Sequence, residues 1–271
     1  MYEYLKELKP LAVAIVNQIL ILKKMKRPLI LLFLSLFFLP LSAQNKKIYH
    51  SSGSEIIFSG ADMNFMGADV NTNIRFTLFF HTQQQLNFDL TEHLGLFTGF
   101  AIRNVGLIME DYYQKVGYDV DNTHPDYNKN TKIKHRSYSL GFPLAVKLGS
   151  LSKDFYFYAG GEYEWMFHYK QKKFIDGEKY KFTQWTSDRV NPWIPSVFGG
   201  IQFPNGFNLK FKYYLDDFLN KDFRGNDFGE PVDYSQFESS RIWYISLSFF
   251  INRRQIQHWM DHESISRTAY R

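Results

Sequence analysis

Beyond Gln44 the apolar residues recur with a period of two, the spacing of strands whose two faces meet different surroundings. The clearest stretch is 155–169, FYFYAGGEYEWMFHY. One parity carries Phe155, Phe157, Ala159, Gly161, Tyr163, Trp165, Phe167 and Tyr169; the other carries Tyr156, Tyr158, Gly160, Glu162, Glu164, Met166 and His168. In 207–216, Phe207, Leu209, Phe211, Tyr213 and Leu215 alternate with Asn208, Lys210, Lys212, Tyr214 and Asp216. Segment 74–90 sets Ile74, Phe76, Leu78, Phe80, Leu86, Phe88 and Leu90 against Arg75, Thr77, His81, Gln83, Gln85, Asn87 and Asp89. Further strands are predicted at 54–62, 94–108 (with Arg103), 137–148 (with Lys147), 193–203 and 241–251, where Trp243, Ile245 and Leu247 oppose Tyr244, Ser246 and Ser248. The pattern predicts eight strands, with ten as the alternative.

The links between them alternate in length. Thr91–His93, Ser150–Asp154 and Pro204–Gly206 are tight, whereas 63–73, 109–136, 170–192 and 217–240 are long and polar. Short turns on one side and long loops on the other are the habit of bacterial outer-membrane barrels, and an even strand number puts both ends of the barrel on the short-turn side. Asp176-Gly177, between KKFI and EKYKF, is a hairpin signal, so strand 155–169 is expected to run out past the membrane and turn back. Together these features predict an all-β fold: an antiparallel up-and-down transmembrane β-barrel. The competing fold is a soluble sandwich or lipocalin-like barrel with the aromatic parity as its core.

The N-terminus adds an export reading. From Met25 the chain runs MKRPLILLFLSLFFLPLSAQ, with two positive charges, an apolar run from Leu29 to Leu39, then Pro40, Ser42 and Ala43. That run is about half of the roughly 20 residues a spanning helix needs, so residues 25–43 are read as a signal peptide cleaved after Ala43. Residues 1–24 carry their own apolar segment and are read as an extension ahead of a start at Met25, or as the first arm of a helical hairpin. The barrel is assigned to 44–251, and 252–271 to a periplasmic tail.

Composition narrows the choice of partner. Aromatics make up 18% of the 271 residues, with 27 Phe and 18 Tyr, a load that suits interfacial girdles at Tyr163, Trp165, Tyr169, Trp193, Tyr213 and Trp243. The formal charge is +5, but residues 1–43 hold six Lys/Arg and two Asp/Glu, which leaves 26 basic and 25 acidic residues beyond them. So balanced a chain has no general electrostatic footprint for nucleic acid. With no cysteine, disulfides, thiolate metal sites, a Cys nucleophile and a lipoprotein anchor are excluded.

The export segment ending in SAQ and strands such as YSLGFPLAVKLG, FYFYAGGEYEW and GFNLKFKYYL resemble the small outer-membrane β-barrel proteins widespread in Bacteroidota, of the OmpA/OmpX-like or PorT-like kind. The resemblance covers most of 44–251 and implies integral outer-membrane localisation, insertion by the barrel-assembly machinery, contact with outer-membrane lipid and lipopolysaccharide, and an envelope protein partner. It carries over no catalytic or ligand motif.

Candidate chemistry is sparse. The inward parity is expected to hold Arg75, Asp89, Arg103, Lys147, Glu162, Glu164, Lys210, Lys212 and Asp216 as a salt-bridge network filling a lumen too narrow for an open pore. A lipid-modifying hydrolase needs a nucleophile beside a His and an acid. His168 with Glu164 is the internal hint, with Ser137, Ser139 and Ser196 on nearby strands, but no Gly-x-Ser-x-Gly accompanies them. His124, His135 and His168 lack ligand spacing, and Asp119, Asp121 and Asp126 lack the Gly and closing Glu of a calcium loop. No catalytic, metal or cofactor residue is therefore assigned. The expected function is a filled, non-enzymatic barrel that stabilises the membrane or binds a partner through its loops or periplasmic end. An outer-leaflet lipid-modifying enzyme and a small channel are the alternatives. The basic runs Lys170–Lys173 and Lys179–Lys181 are expected to meet lipopolysaccharide phosphates or to keep the loop soluble.

Overall fold

A computed structural model describes residues 47–78, 81–110, 131–175, 177–227 and 230–252. The export segment, residues 1–24, the tail, His124 and the acidic stretch at 119–126 lie outside the described residues. Eight strands form the wall: β1 (Ile48–Phe65), β2 (Thr82–Asp89, preceded by Arg75–Thr77), β3 (Leu94–Met109), β4 (Thr131–Ser150), β5 (Phe155–Ile175), β6 (Trp193–Gln202), β7 (Phe207–Tyr214) and β8 (Phe237–Asn252). Each pairs antiparallel with the next, and β1 pairs with β8 from Ser51↔Asn252 to Phe65↔Phe237, so the eight strands close into a ring.

The three tight links fall where the turn chemistry places them. The Thr91 hydroxyl accepts from the backbone N–H of His93 at 3.2 Å and of Leu94 at 2.9 Å. Leu151–Lys153 is a 3₁₀ turn closed by Asp154 at φ 52°, and Pro204–Gly206 holds Asn205 at φ 68°. At the other end the expected loops carry more structure than their polarity suggests. β4 starts at Thr131, inside the stretch read as a loop, and pairs with β3 as far as Met109↔Ile133. The polar run KIKHR alternates as strictly as the apolar part of the strand, because here both faces have left the lipid.

The arm announced by Asp176-Gly177 exists: Glu178–Trp185 pairs with the outer part of β5 from His168↔Trp185 to Ile175↔Glu178. It hangs on that extension alone, so the ring has eight strands, not ten.

Segment 74–90, read as one strand, is broken. On β1 the partners Gly53 and Ile57 are four residues apart, whereas their partners Gln83 and Thr77 are six apart, so β2 carries two extra residues at this level. Between Asn73↔Ile108 and Thr82↔Ile102 the described residues of β2 make no ladder pair with β3. A local gap in the wall results.

Alternation decides which face meets which solvent, and β4 settles the choice between membrane and water. Leu148 is 58% exposed while Lys147 beside it is 0% exposed, and Leu144 is 63% exposed. A soluble barrel would have the reverse. Outward positions from Leu148 to Tyr138 on β4 span about 33 Å of strand, or about 25 Å across a bilayer at a tilt of roughly 40°, the height of a lipid-facing belt. The protein is a transmembrane β-barrel, and immediately beyond the belt the outward residues of β4 turn basic, at Arg136, Lys134 and Lys132.

The interior is layered. Towards the short turns lies a small apolar cluster of Phe97, Ala145, Leu151, Tyr156, Tyr158 and Phe198. Charged groups fill the middle. Above them a larger apolar cluster includes Ile57, Met63, Leu107, Met109, Met166 and Tyr214, together with Phe218, Leu219, Val232 and Tyr234 from the link between β7 and β8. That link, expected to be a polar loop, is tucked over the barrel's outer end: Phe218 donates its N–H to the Ser240 carbonyl at 3.0 Å, and Asp217 accepts from the Ser240 N–H at 2.6 Å.

Candidate functional site

The middle layer collects six charges from four strands. Arg103 on β3 is hydrogen-bonded to Glu55 on β1 and to Glu162 on β5, with Glu164 at 3.4 Å. Lys210 on β7 reaches Glu55 at 2.9 Å, and Lys212 reaches Glu162 at 2.7 Å and also contacts Glu164. Gln83 on β2 accepts from Arg103 at 3.3 Å and from Lys210 at 3.4 Å, and the Tyr214 hydroxyl donates to Glu164 at 2.9 Å. Three cations thus face three carboxylates. Desolvating each ion costs several kcal/mol, so the layer is tolerable because the charges cancel and hydrogen bonds use the carboxylate oxygens, Glu164 Oε2 excepted. Lys212 also lies 5.0 Å from the Tyr214 ring and 5.8 Å from that of Tyr244.

The expected network was therefore right in kind and wrong in extent. Lys147 and Asp89 form a separate pair at 2.7 Å nearer the short turns, where Lys147 also reaches Asn87 at 3.1 Å and the Tyr49 hydroxyl at 3.2 Å. Arg75 bonds across the wall gap to Asn104, through the backbone carbonyl at 2.9 Å and through the side-chain oxygen. Asp216 is exposed, because β7 ends at Tyr214 and the chain turns there; Asp217 is the buried one. Glu55 was missed. Its segment was located by its apolar residues, and the available signal was a single Glu on the parity of Ile57 and Ala61.

The hydrolase hint does not assemble. Tyr138↔His168 is followed by Ser139↔Met166, so Phe167 is an extra residue in β5 and the parity flips there. Glu162, Glu164 and Met166 point inward before the bulge, and Tyr169, Gln171 and Lys173 point inward after it. His168 is left outside, its ring 4.6 Å from Trp185 and 6.0 Å from Tyr138, while Glu164 lies in the lumen. Ser137, Ser139 and Ser196 are buried inside, where Ser196 donates to the Glu162 carbonyl at 3.1 Å. His135 is also inside, 2.6 Å from the Tyr169 hydroxyl. The bulge likewise removes Tyr169 from the girdle, whereas Tyr163 and Trp165 stack on Trp193 at 5.2 and 6.2 Å.

Outside, above this aromatic band, a second set of charges has the opposite character. On the outward face of the β4–β5–arm sheet, Arg136 pairs with Lys170, and Lys134 pairs with Lys172, which in turn pairs with Lys181. Lys132 faces Phe174, which faces Lys179. Like charges directly opposite each other across strands are destabilising. Partial burial first, then Arg136, Lys181 and Lys172, brings the Lys170 ammonium down to about 8. Lys134 and Lys172 are lowered in the same way, by burial first and then by neighbouring cations. The carboxylate nearby is Glu110, hydrogen-bonded to Lys132.

Fold and surface define the class: a closed, eight-stranded, antiparallel barrel with an apolar exterior and a filled interior. Its likeness to solved structures is one of small barrels. Neisserial surface protein A is 10% identical over 75% of this chain and 96% of that one, with a TM-score of 0.33. The outer membrane protein OprG from Pseudomonas aeruginosa is 9% identical over 76% and 96%, with a TM-score of 0.32. The outer membrane protein AlkL, solved in lipid bilayers, is 10% identical over 78% and 94%, with a TM-score of 0.35. No protein-family model and no curated protein matches the chain.

Proposed function

We propose that the protein is an exported outer-membrane barrel with a closed lumen, acting without chemistry of its own by binding lipid or an envelope partner through its outer rim. The observation that carries this reading is the filled interior: a charge layer of three cations and three carboxylates lies between two apolar clusters, and the larger includes Phe218, Leu219 and Tyr234 of the last long link. An ion entering would have to leave its water and separate pairs that compensate one another. The Met25–Ala43 export pattern and the apolar belt support the location.

Two measurements test it. In isolated envelopes the protein should migrate faster unboiled than boiled on SDS gels, and in planar bilayers the purified barrel should give no conductance steps. A protein soluble in the periplasm, or one with stable unitary conductance, would overturn the reading.

A further inference from the structure

A cavity of about 580 Å³ lies beside the wall gap. Its polar wall is Arg75, Lys134, Arg136 and Lys172; its apolar wall includes Phe76 and Leu78, which are 58% and 43% exposed on the lipid-facing side. The cavity sits at the top of the belt, since Asn104, which Arg75 holds, pairs with Tyr138. Arg75 is 8% exposed. Among the described residues it bonds to Asn104 and to no carboxylate, and Lys134, Arg136 and Lys172 have no salt-bridge partner. Four cations thus converge on one cavity that no carboxylate among the described residues lines, against the cross-strand repulsion described above.

We infer that this cavity is a binding site for the phosphorylated headgroup of an outer-leaflet glycolipid of the lipopolysaccharide type, with phosphate oxygens on Arg75, Arg136, Lys134 and Lys172 and an acyl chain along Phe76 and Leu78. Phosphate matches the donors, because a guanidinium offers it two parallel N–H groups and the ammonium groups add charge. The height matches too: hydrocarbon contacts end and cations begin at the level where a lipid phosphate lies. A soluble anion would use the cations and leave the apolar wall bare, so the two-sided lining points to a lipid. The site rests on the outer-membrane reading, since only there does the wall meet such a lipid.

The test uses the full-length protein refolded in detergent and native mass spectrometry to count retained lipid. Diphosphorylated lipid A is compared with the same glycolipid stripped of its phosphates, and with inorganic phosphate as competitor. The phosphorylated lipid should be retained about tenfold better than the stripped one, and Lys134→Gln/Arg136→Gln/Lys172→Gln should lose about that factor while Lys153→Gln, at the opposite end, keeps it. Equal retention of the two lipids, or unchanged retention by the triple variant, would overturn the site. Displacement by inorganic phosphate at the concentration of the lipid would make the ligand a free anion and overturn the lipid assignment. Unboiled gel mobility of each variant reports folding separately; were the wild type to show no such shift, the barrel reading itself would be what failed.

Discussion

Two groups of charges in this molecule obey different rules. In the lumen, Arg103, Lys210 and Lys212 meet Glu55, Glu162 and Glu164, and the layer closes on itself. On the outer wall, Arg136 faces Lys170 and Lys134 faces Lys172 across adjacent strands. Dielectric surroundings account for the contrast. A buried ion without a partner costs several kcal/mol, so inside the barrel opposite charges are required. At the headgroup level water and salt screen the repulsion, a like-charged row costs little, and what it costs remains as attraction for an anion from outside.

The contrast breaks most visibly at its centre. Arg103→Met leaves Glu55 and Glu162 without their guanidinium, and a loss of about 3–5 kcal/mol is expected in urea unfolding of the barrel in lipid vesicles, followed by tryptophan fluorescence. A loss under about 1 kcal/mol would mean that the layer is wet and that inside and outside do not differ. Gly141→Val tests the same layer through space alone. A Cβ there would lie 1.9 Å from Glu162 Oε1, so the carboxylate must leave Arg103, at an expected cost of about 1–3 kcal/mol in the same assay.

On the outer wall the sign reverses. Lys134→Glu places a carboxylate opposite Lys172 and should stabilise the barrel by about 0.2–1 kcal/mol. The smallest effect is a titration. Lys170 falls from an ordinary 10.5 to about 8 in the fold, so the unfolded chain binds more protons between those values. The stability withheld by charged Lys170 is therefore absent below pH 8 and returns as pH rises from 8 to 10.5. Arg136, Lys172 and Lys181 are the charges facing it. The urea midpoint difference between pH 7 and pH 10 should shrink in Lys170→Gln; an unchanged difference would assign the effect to other groups.

Much of this was legible in the sequence because barrel strands repeat one simple code. The lumen positions of Lys147, Glu162, Glu164, Lys210 and Lys212 follow from parity alone, and so does the lipid face of β4. What was not legible is where the code slips. The extra residue in β5 sits in WMFHY, where every residue suits either face, so periodicity cannot register it. The extra pair in β2 leaves only a weak trace in the sequence, where Phe79, Thr82 and Gln84 fall on the wrong parity, and it is fixed by pairing with β1. The like-charged rows needed register too: Lys134 and Lys172 are far apart in the chain, and nothing in either segment says that they are neighbours.

The bulge at Phe167 also bears on how this chain can vary. Were the strand to alternate regularly through Phe167 and His168 with no bulge, the remainder of β5 would turn over, sending Lys170 and Lys172 towards the lumen and Tyr169, Gln171 and Lys173 to the surface, with the paired arm dragged along. Deleting Phe167 would instead leave every later residue on its present side, because Met166 and His168 would then be adjacent, as their partners Ser139 and Tyr138 are. Lengthening the arm beyond Ile175 and Glu178 would exchange nothing. In a set of related sequences, insertions and deletions should therefore gather at the arm's tip, and the spacing from Glu164 to Lys170 should vary by no more than the single bulge residue.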